Sequence, residues 1–274
     1  MSLTDPCLSL QVRHHAPETL KLFIVPTQNL RYEWAETLRA QFQVVSTPEA
    51  ADYLVVMGGD GSMLHAIHEY DTIHSVFFGL NAGTLGFLMN HVVAAQTLEM
   101  LFQDIVIEQL WMLEAEVVTT EGQTSRVYGF NDIWVERDSG QTLKMIVTLD
   151  GARQPAMFVG DGLLFSTPQG STGYNRALHG KVILPGVPVL QMTPIACVVD
   201  KIVLSSLLLC NQSVVTIEFY EPAKRPCRLL YDGKTFSQGT VQRFTVRKSQ
   251  RQVRIGFTES HTFRSRVTAW QLQY

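Results

Sequence analysis

The sequence predicts an α/β N-terminal domain with a parallel sheet, followed by a mainly β C-terminal domain. Between residues 20 and 81, short apolar runs alternate with segments of helical spacing, which is typical of parallel strands joined by helices. From about residue 108, strand-like runs rich in β-branched and aromatic residues follow one another between turn residues. We therefore expect a first domain over residues 1–107 and a second over residues 108–262.

The elements of the first domain can be placed in chain order. We predict a strand at 20–26, a helix at 30–42, a strand at 54–57, a helix at 63–70, a strand at 75–81 and a helix at 94–105. The first helix carries Leu30, Trp34, Leu38 and Phe42 four residues apart, on one stripe. Since ligands in parallel sheets bind at the carboxyl ends of strands, the residues that follow these strands are candidates for a site.

A glycine-rich turn follows the predicted strand at 54–57. Gly58, Gly59 and Gly61 allow a turn that residues with a β-carbon would resist, and they let main-chain N–H groups approach a ligand. Ser62 is expected to cap the helix that follows. A strand, a glycine turn and a helix start together predict an anion site, because free N–H groups and the helix dipole point outward there.

Asp60 stands in the middle of this turn. A carboxylate repels a phosphate, so Asp60 suits the turn if it accepts a proton from a hydroxyl or if a divalent cation lies between. Both roles fit phosphoryl transfer to an alcohol. The alternative is a tight turn in which Asp60 only caps the helix. Neither a Walker motif (GxxxxGK[ST]) nor a GxGxxG after this strand is present.

A second glycine-rich turn, "NAGTLGFLMN", spans residues 81–90. Gly83 and Gly86 again permit close backbone approach, and Asn81 offers both a donor and an acceptor at a strand end. Alternatively, the apolar residues of this stretch only pack beneath a loop.

The second domain contains a polar stretch at residues 160–180. Asp161 precedes a short strand, and a loop of small residues follows; its hydroxyls suit those of a sugar, and Tyr174 could cover a flat ring. The small loop residues are Ser166, Thr167, Gly170, Ser171, Thr172 and Gly173. The alternative is a long exposed loop with Asp161 in a hairpin turn.

Three other pairs of adjacent residues, each with an aspartate, stand out in this domain. Asn131-Asp132 interrupts an otherwise apolar predicted strand, so the pair lies either on a solvated edge or at a site. Asp150-Gly151 and Asp232-Gly233 separate strand-like runs and are typical of hairpin turns.

Composition bounds the possible functions. The 274 residues, 46% of them hydrophobic, can form one large domain or two moderate ones. A net charge of −3 without blocks of like charge argues against nucleic acid or a membrane as partner. No apolar run has the length of a membrane span, and the first 20 residues lack a signal-peptide pattern and are expected to be a loosely held extension.

The cysteines and histidines predict no metal centre held by the protein alone. The cysteines show no CxxC pairing, so we expect reduced thiols and a cytoplasmic protein. They are Cys7, Cys197, Cys210 and Cys227. His65 and His68 could share a helix face, but two histidines are more often surface residues than a zinc site.

Taken together, these stretches resemble the NAD kinases. The family's GGDG motif stands at 58–61, its NxGxLGF motif at 81–87, its Asn-Glu pair at 131–132 and its DGLxxSTPxGSTAY stretch at 161–174. The segment "PVLQMTPIA" at 188–196 also matches, and the motifs occur in family order from about residue 20 onward. GGDG alone is shared with lipid kinases such as diacylglycerol kinases, whereas the long third stretch together with NxGxLGF is specific.

The chain departs from the family pattern at three positions. Ser62 replaces the usual Thr and keeps the hydroxyl, and Gly173 replaces Ala. Asp132 replaces Glu, which keeps the charge but shortens the reach by one methylene.

The resemblance implies transfer of the terminal phosphate of ATP, or of polyphosphate, to the 2′-hydroxyl of the adenosine ribose of NAD, giving NADP. It implies Mg²⁺ or another divalent cation as cofactor. It further implies a Rossmann-like α/β domain and a β-rich NAD-binding domain with the site between them, and a tail, residues 263–274, that packs back on the first domain. Homodimers or homotetramers, in which a neighbouring subunit completes the site, are also implied.

The same resemblance assigns roles. Asp60 is expected to orient and deprotonate the 2′-hydroxyl, while the amides of Gly58–Gly61 face phosphate. Asn131 and Asp132 are expected to bind the ribose or nicotinamide side, and Asp161 the nicotinamide end. Residues 172–174 are expected to line the adenine region. The further expected contact residues are His65, Asn81, Gly160, Thr172, Gly173, Tyr174, Asn175, Arg176, Ala177 and Ala196.

Two rival functions remain open at this point. A lipid kinase would need the GGDG turn but not the "STPQGSTGY" loop, and it would favour an apolar alcohol. A non-catalytic dinucleotide sensor would bind NAD without making NADP, but it would gain nothing from a carboxylate beside phosphate.

Overall fold

The computed structural model divides into two compact units. The first unit comprises residues 1–110 and 251–274, and the second comprises residues 111–250. The structure describes residues 9–14, 19–28, 30–81, 86–92, 98–258 and 262–272.

The described residues form five α-helices and 21 strands, with two short 3₁₀ turns at Pro48–Ala50 and Gln169–Thr172. The helices are α1 Tyr32–Gln41, α2 Asp60–Tyr70, α3 Leu98–Leu101, α4 Tyr174–Ala177 and α5 Phe263–Gln271. The strands up to residue 137 are β1 Ser9–His14, β2 Lys21–Ile24, β3 Gln43–Val44, β4 Tyr53–Gly58, β5 Val76–Asn81, β6 Asn90–His91, β7 Asp104–Thr119, β8 Thr124–Gly129 and β9 Asp132–Arg137. Next come β10 Leu143–Leu149, β11 Ala152–Arg153, β12 Phe158–Gly160, β13 Gly162–Ser166, β14 Val189–Ile195, β15 Val198–Val199 and β16 Ile202–Val203. The last strands are β17 Leu207–Cys210, β18 Val215–Phe219, β19 Cys227–Tyr231, β20 Lys234–Thr235 and β21 Val241–Thr258.

The first unit is built on a parallel sheet, which confirms the predicted α/β class. Its strands lie in the order β3-β2-β4-β5-β21, and each printed pair in this series is parallel. Every residue of β4 and β5 is buried, which explains why both were apolar runs without alternation. Gly58 and Asn81 are register partners at the carboxyl ends of β4 and β5, so the two glycine-rich turns leave from the same edge.

Helix α2 begins three residues earlier than the capping pattern predicted. Its N-cap is Gly59, and Asp60 is its first residue, so the expected cap by Ser62 is wrong. An acidic residue in the first turn interacts favourably with the N-terminal end of the helix dipole. Met63, Ala66 and Ile67 are the buried residues that attach α2 to the unit.

The N-terminal stretch differs from the loose extension predicted for it. Residues 9–14 form β1, which pairs antiparallel with residues 104–109 of β7. Of the helix predicted at 94–105, residues 98–101 form α3 and residues 93–97 lie outside the described part of the chain. The prediction was wrong for residues 104–105, which begin β7.

The second unit is built mainly from antiparallel strands that belong to two sheets, which confirms the mainly β class. One is six-stranded, in the order β17-β14-β13-β9-β19-β20. In the other sheet, the strands of this unit lie side by side in the order β16-β15-β12-β10-β18-β21. Apolar residues from both sheets, such as Phe165 and Phe244, form one buried cluster. Asp150-Gly151 and Asp232-Gly233 adopt positive φ values and form the predicted turns.

Strands β7 and β21 each contribute residues to both units. The C-terminal part of β21 pairs with β5, through Ile255 beside Phe77, so residues 251–258 belong to the first unit. The sequence division had assigned these residues to the second domain. Strand-like patterning marks a strand but does not say which sheet its two halves join. No helix among the described residues is long and apolar enough to cross a membrane.

Candidate active site

The GGDG turn opens onto a cavity in the first unit. Gly58 has a φ of 142°, a backbone conformation that favours glycine. A β-carbon at Gly59 or Gly61 would meet nothing within 4 Å, so these two glycines are not required by packing. Because these two residues have no side chains, the backbone at the start of α2 is accessible from the cavity.

The cavity has a volume of about 710 Å³. The N-terminus of α2 borders it, and the loop after β2 forms its other side, with Thr27 donating a hydrogen bond to the carbonyl of Met57 at 3.0 Å. His65 is exposed and contributes to this wall, as its proposed contact role requires. The lining residues are Val25, Pro26, Thr27, Gln28, Gly59, Gly61, Ser62, His65, Ala66 and Glu69.

The Asp60 side chain is half-buried and reaches across to the second glycine-rich turn. Its Oδ2 accepts the backbone N–H of Phe87 at 2.9 Å, and its Oδ1 accepts that of Leu88 at 3.0 Å. Gly86 makes this approach possible, because a β-carbon there would lie 2.7 Å from Oδ1. Burial raises the pKa of Asp60, while the two amides and the charge of Arg266 oppose the rise. The two amides hold Asp60, so it does more than begin α2.

The second glycine-rich turn, residues 81–90, shows both close backbone approach and apolar packing, the two alternatives that its sequence left open. Asn81 is buried, and its Nδ2 lies 3.2 Å from Nδ1 of His91. Leu88 is buried, whereas the N–H groups of Phe87 and Leu88 bind Asp60, so one stretch packs and positions at once. Residues 82–85 of the NxGxLGF motif lie outside the described residues.

Arg266 completes this arrangement, and sequence reasoning missed it. Its Nη1 donates to the carbonyls of Gly86 and Phe87, each at 3.3 Å, and to that of Met89. The sequence offered only an arginine in a tail that pattern could not place.

In the second unit, Asn131-Asp132 occupies a bend between β8 and β9, where a single strand was predicted. Asp232 fixes this bend by accepting three backbone N–H groups, those of Phe130 at 2.5 Å, Asn131 at 2.7 Å and Asp132 at 3.1 Å. Asp232 is the second functional candidate missed from the sequence, since it was assigned only to a hairpin turn. Its carboxylate bridges the turn to a bend about 100 residues earlier.

The two side chains of the bend have different environments. Oδ1 of Asn131 is buried and has no hydrogen-bond partner among the described residues. Asp132 is 5% exposed, and burial, together with the nearby charge of Asp232, raises its pKa well above the usual range. The pair is therefore not on a solvated edge. A polar ligand could supply the hydrogen bond that Oδ1 of Asn131 lacks among the described residues.

The loop after β13 is not an exposed loop, and most of its hydroxyls serve the fold. Ser166, Thr167 and Ser171 are fully buried. Thr167 donates to the carbonyl of Phe130 at 2.8 Å, and a β-carbon at Gly170 would lie 2.1 Å from the carbonyl oxygen of Asn131. The expectation that these buried hydroxyls meet sugar hydroxyls is wrong, because they bind backbone carbonyls instead. Ser166 and Thr167 bind those of the bend, and Ser171 binds those of Pro168 and Ile183.

The end of this loop does present surface. Tyr174 is 37% exposed and packs edge-to-face against Trp134, with ring centroids 5.4 Å apart. Thr172 is half-buried, and Gly173, Arg176 and Ala177 are exposed.

Asn175 differs from its neighbours because it is fully buried. Its Oδ1 accepts from Gln191 and Thr193, each at 2.6 Å, and its Nδ2 donates to the carbonyls of Ser171 and Lys181, each at 3.2 Å. In this geometry its side chain supports the loop.

Asp161 lies at the other end of β13 and not in a hairpin, since β12 and β13 belong to different sheets. Its Oδ1 pairs with Nε of Arg137 at 2.8 Å. Gly160 packs tightly, because a β-carbon there would lie 2.6 Å from the carbonyl oxygen of Ala196. Ala196 itself is exposed and has a φ of 47°, a left-handed conformation that is unusual for alanine.

The expected contact residues of the second unit therefore form two groups. One contains the 131–132 bend and residues 172–177, and the other contains Gly160, Asp161 and Ala196. In the sheet register Ser166 pairs with Asp132, whereas Gly162 pairs with Glu136 and Ile195. Four residue steps along a strand separate the groups by about 13 Å.

Within the described residues, no group of three or more His, Cys, Asp or Glu side chains is arranged to hold a metal ion. Asp60 and Glu69 are the acidic residues at or beside the cavity of the first unit. Nine positions of α2, about 13 Å, separate these two residues, so they do not bind one ion together. A single carboxylate suits a divalent cation that arrives with phosphate oxygens, because Mg²⁺ is usually held by one or two carboxylates and substrate phosphates.

Comparison with known proteins places these observations in one family. The family model "ATP-NAD kinase C-terminal domain" matches residues 130–256. The NAD kinase of Mesorhizobium japonicum is 31% identical over 240 residues, covering 87% of this chain and 91% of that protein. The NAD kinase of Rickettsia prowazekii is 30% identical over 220 residues, covering 80% and 85%.

Solved structures share the fold at lower identity. Yeast NADH kinase complexed with NADH superposes with a TM-score of 0.74 at 19% identity, covering 94% of this chain and 89% of that one. An NAD kinase from Archaeoglobus fulgidus in complex with ATP gives a TM-score of 0.68 at 17% identity, covering 91% and 96%. The sequence relatives, matched over most of their length, establish that this chain belongs to the NAD kinase family.

Proposed function

We propose that this protein phosphorylates NAD to NADP, using ATP as the phosphoryl donor. The observation that carries the proposal is the position of Asp60, an acid held by two backbone amides at the start of a helix that borders an open cavity. Structures of relatives named for NAD(H) phosphorylation hold ATP in one case and NADH in another, which supports the two substrates.

The donor phosphates are assigned to the cavity beside the GGDG turn. Gly59 and Gly61 expose backbone where no side chain intervenes, and the first N–H groups of a helix have no intrahelical acceptor. The helix dipole adds attraction for negative charge there. Asp60 alone would repel phosphate, so we propose that Mg²⁺ or another divalent cation accompanies the donor and neutralises its charge.

Asp60 is proposed as the general base. It takes the proton of the 2′-hydroxyl of the adenosine ribose, and that oxygen forms a bond to the γ-phosphorus. The bond between the γ-phosphorus and the bridging oxygen breaks, and ADP leaves with the electron pair. The burial that raises the pKa of Asp60 makes it a better proton acceptor than a solvated aspartate.

The second unit is proposed to hold the dinucleotide. The unpartnered Oδ1 of Asn131 and the carboxyl of Asp132 suit a ribose or amide, and Tyr174 with Trp134 offers an aromatic surface for a base. Asp161 and Ala196 lie about 13 Å away along β13, so the two groups suit the two ends of an extended dinucleotide. The remaining contact positions, Gly160, Thr172, Gly173, Arg176 and Ala177, are proposed on the same basis.

We further propose a homo-oligomer in the cytoplasm. Strand β17 is an edge strand that exposes apolar Leu207 and Leu208, at 40% and 54%, and apolar edges are usually covered. Cys197, Cys210 and Cys227 are free thiols, which suits a reducing compartment. Sedimentation of the protein, compared with a Leu208→Lys variant, tests the assembly.

The function is tested by incubating the purified protein with NAD, Mg²⁺ and either ATP or polyphosphate, and measuring NADP. Diacylglycerol offered beside NAD with labelled ATP separates the lipid-kinase alternative. Asp60→Asn is expected to bind NAD normally and to lose activity on the order of 10²- to 10⁴-fold. Glu49→Gln, which removes an exposed acid in the same unit, serves as control. Absence of NADP with either donor would overturn the function, and near-normal turnover by Asp60→Asn would remove Asp60 from the chemistry.

A further inference from the structure

Two peptide groups connect Asp60 to Arg266. The peptide between Gly86 and Phe87 donates its N–H to Asp60 and accepts a bond from Arg266 at its carbonyl. The next peptide, between Phe87 and Leu88, does the same with its own N–H and carbonyl. The Asp60 carboxylate and the Arg266 guanidinium therefore bind opposite sides of the same two peptide groups.

Arg266 is built into this position. Its Nη1 also donates to the carbonyl of Met89, and its guanidinium carbon lies 5.4 Å from the centre of the Phe257 ring. Burial lowers the pKa of Arg266 to about 10, while the carboxyls of Asp60 and Glu108 act in the opposite direction. The guanidinium is therefore charged at neutral pH, although burying a charge is costly unless it is well partnered.

Helix α5 brings Arg266 to the turn. Phe263 and Val267 are fully buried on this helix. The ring of Phe87 makes edge contacts with Phe263 and Trp270, with centroids 6.1 and 6.4 Å apart. The helix thus contacts the segment that holds Asp60 through both ring packing and hydrogen bonds.

We propose that Arg266 is a positioning residue for Asp60, acting through the peptide groups of residues 86–88, so that phosphoryl transfer depends on helix α5. The proposal rests on the proposed function of Asp60. Hydrogen bonds in series polarise one another, so a cation on the carbonyl side strengthens the N–H groups that orient the carboxylate. Without it, the two amides lose their fixed direction and the carboxylate loses its alignment with the acceptor hydroxyl.

The first test replaces Arg266 with Met and compares it with Arg264→Met. Arg264 is an exposed arginine on the same helix, so the control removes the same charge without removing the bonds to residues 86–89. Arg266→Met is expected to lower kcat by on the order of 10- to 100-fold with KM for NAD changed less than about twofold. Arg266→Lys is expected to recover part of the loss, since it restores the charge but does not place its ammonium where Nη1 contacts the three carbonyls.

A double-mutant cycle separates positioning from general support of the fold. If Arg266 acts through Asp60, adding Arg266→Met to Asp60→Asn costs less than about a further twofold in kcat. Equal losses in both backgrounds would overturn the proposal, as would wild-type kcat in Arg266→Met.

A measurement independent of activity keeps the two proposals apart. Hydrogen exchange at the amides of Phe87 and Leu88 is expected to be faster in Arg266→Met, and unchanged in Arg264→Met. If the unmodified protein makes no NADP, the proposed function fails, and unchanged exchange at these amides would independently refute the role of Arg266. Should Arg266→Met not fold, the same exchange and kinetic comparisons with Arg266→Lys decide.

Discussion

A β-carbon on Gly86 would lie 2.7 Å from Oδ1 of Asp60, closer than real β-carbons approach other atoms. We therefore expect Gly86→Ala to push the carboxylate away from the amides of Phe87 and Leu88. Misplacing a reacting group by about 1 Å can cost on the order of 10²-fold, so kcat should fall steeply. Gly140→Ala is the control, since a β-carbon there meets nothing within 4 Å. Equal activity of the two variants would contradict the geometry.

Replacing Gly61 with alanine should leave stability intact and weaken the binding of ATP. A β-carbon there meets nothing within 4 Å, and Gly61 lies in the first turn of α2, where alanine is a better helix former by up to about 1 kcal/mol. Gly61→Ala should therefore be as stable as the parent or more so in urea unfolding. Because Gly61 lines the cavity assigned to the donor, its KM for ATP should rise while its KM for NAD stays the same. An unchanged KM for ATP would move the donor site elsewhere.

Asp232 should matter for NAD binding, although it is a hairpin residue. Asp232→Ala leaves three amides of residues 130–132 without their acceptor, which should cost on the order of 3 kcal/mol in unfolding free energy and raise KM for NAD. The matched control is Asp150→Ala in the other Asp-Gly turn, whose carboxylate accepts from Ser213 and from the amide of Val214. The control should lose stability with an unchanged KM for NAD. A KM raised equally in both variants would show that the effect is not specific to the bend.

Glu108 should make stability depend on pH. Burial, the first cause, raises its pKa from 4.5 to about 7, and the side chain is fully buried. Below pH 4.5 the carboxyl is protonated in both folded and unfolded chains, so its contribution is complete. As pH rises, the unfolded chain loses its proton first, and the contribution is lost by about pH 7.

Glu108→Gln carries no titrating group, so this pH dependence should disappear. Between pH 5 and pH 8, the unfolding free energy of the unmodified protein should fall relative to the variant by about 2.5 kcal/mol. Urea denaturation of both proteins across this range measures the difference, and all other groups cancel. A difference that stays constant with pH would place Glu108 in a more solvated environment.

The parts of the site that sequence could predict are those encoded locally. The run Leu54–Met57 followed by glycines predicted a buried strand and a turn, and β4 and α2 confirm them. Asp150-Gly151 predicted a turn from two residues alone, and both adopt positive φ. The helix start was wrong by three residues because Ser62 and Gly59 are both acceptable caps, and only the completed turn decides between them.

The partners of these local features were not predictable. The amides that hold Asp60 belong to residues 27 and 28 positions further on, and Arg266 reaches the same segment from about 180 positions away. An Asp-Gly pair looks the same whether its carboxylate faces solvent or, as for Asp232, accepts three distant amides. The buried hydroxyls of Ser166 and Thr167 were misjudged for the same reason, since composition does not say which side of a loop is covered.

Residues 251–258 of strand β21 and helix α5 belong to the first unit, although they follow residues 111–250 in the chain. During synthesis, the second unit can therefore fold while the parallel sheet still lacks a strand and Asp60 lacks the helix behind its turn. A polypeptide that stopped before residue 266 would contain every family motif but would lack the arginine that binds the carbonyls of residues 86 and 87. On the role proposed for Arg266, activity therefore depends on residues made after every family motif.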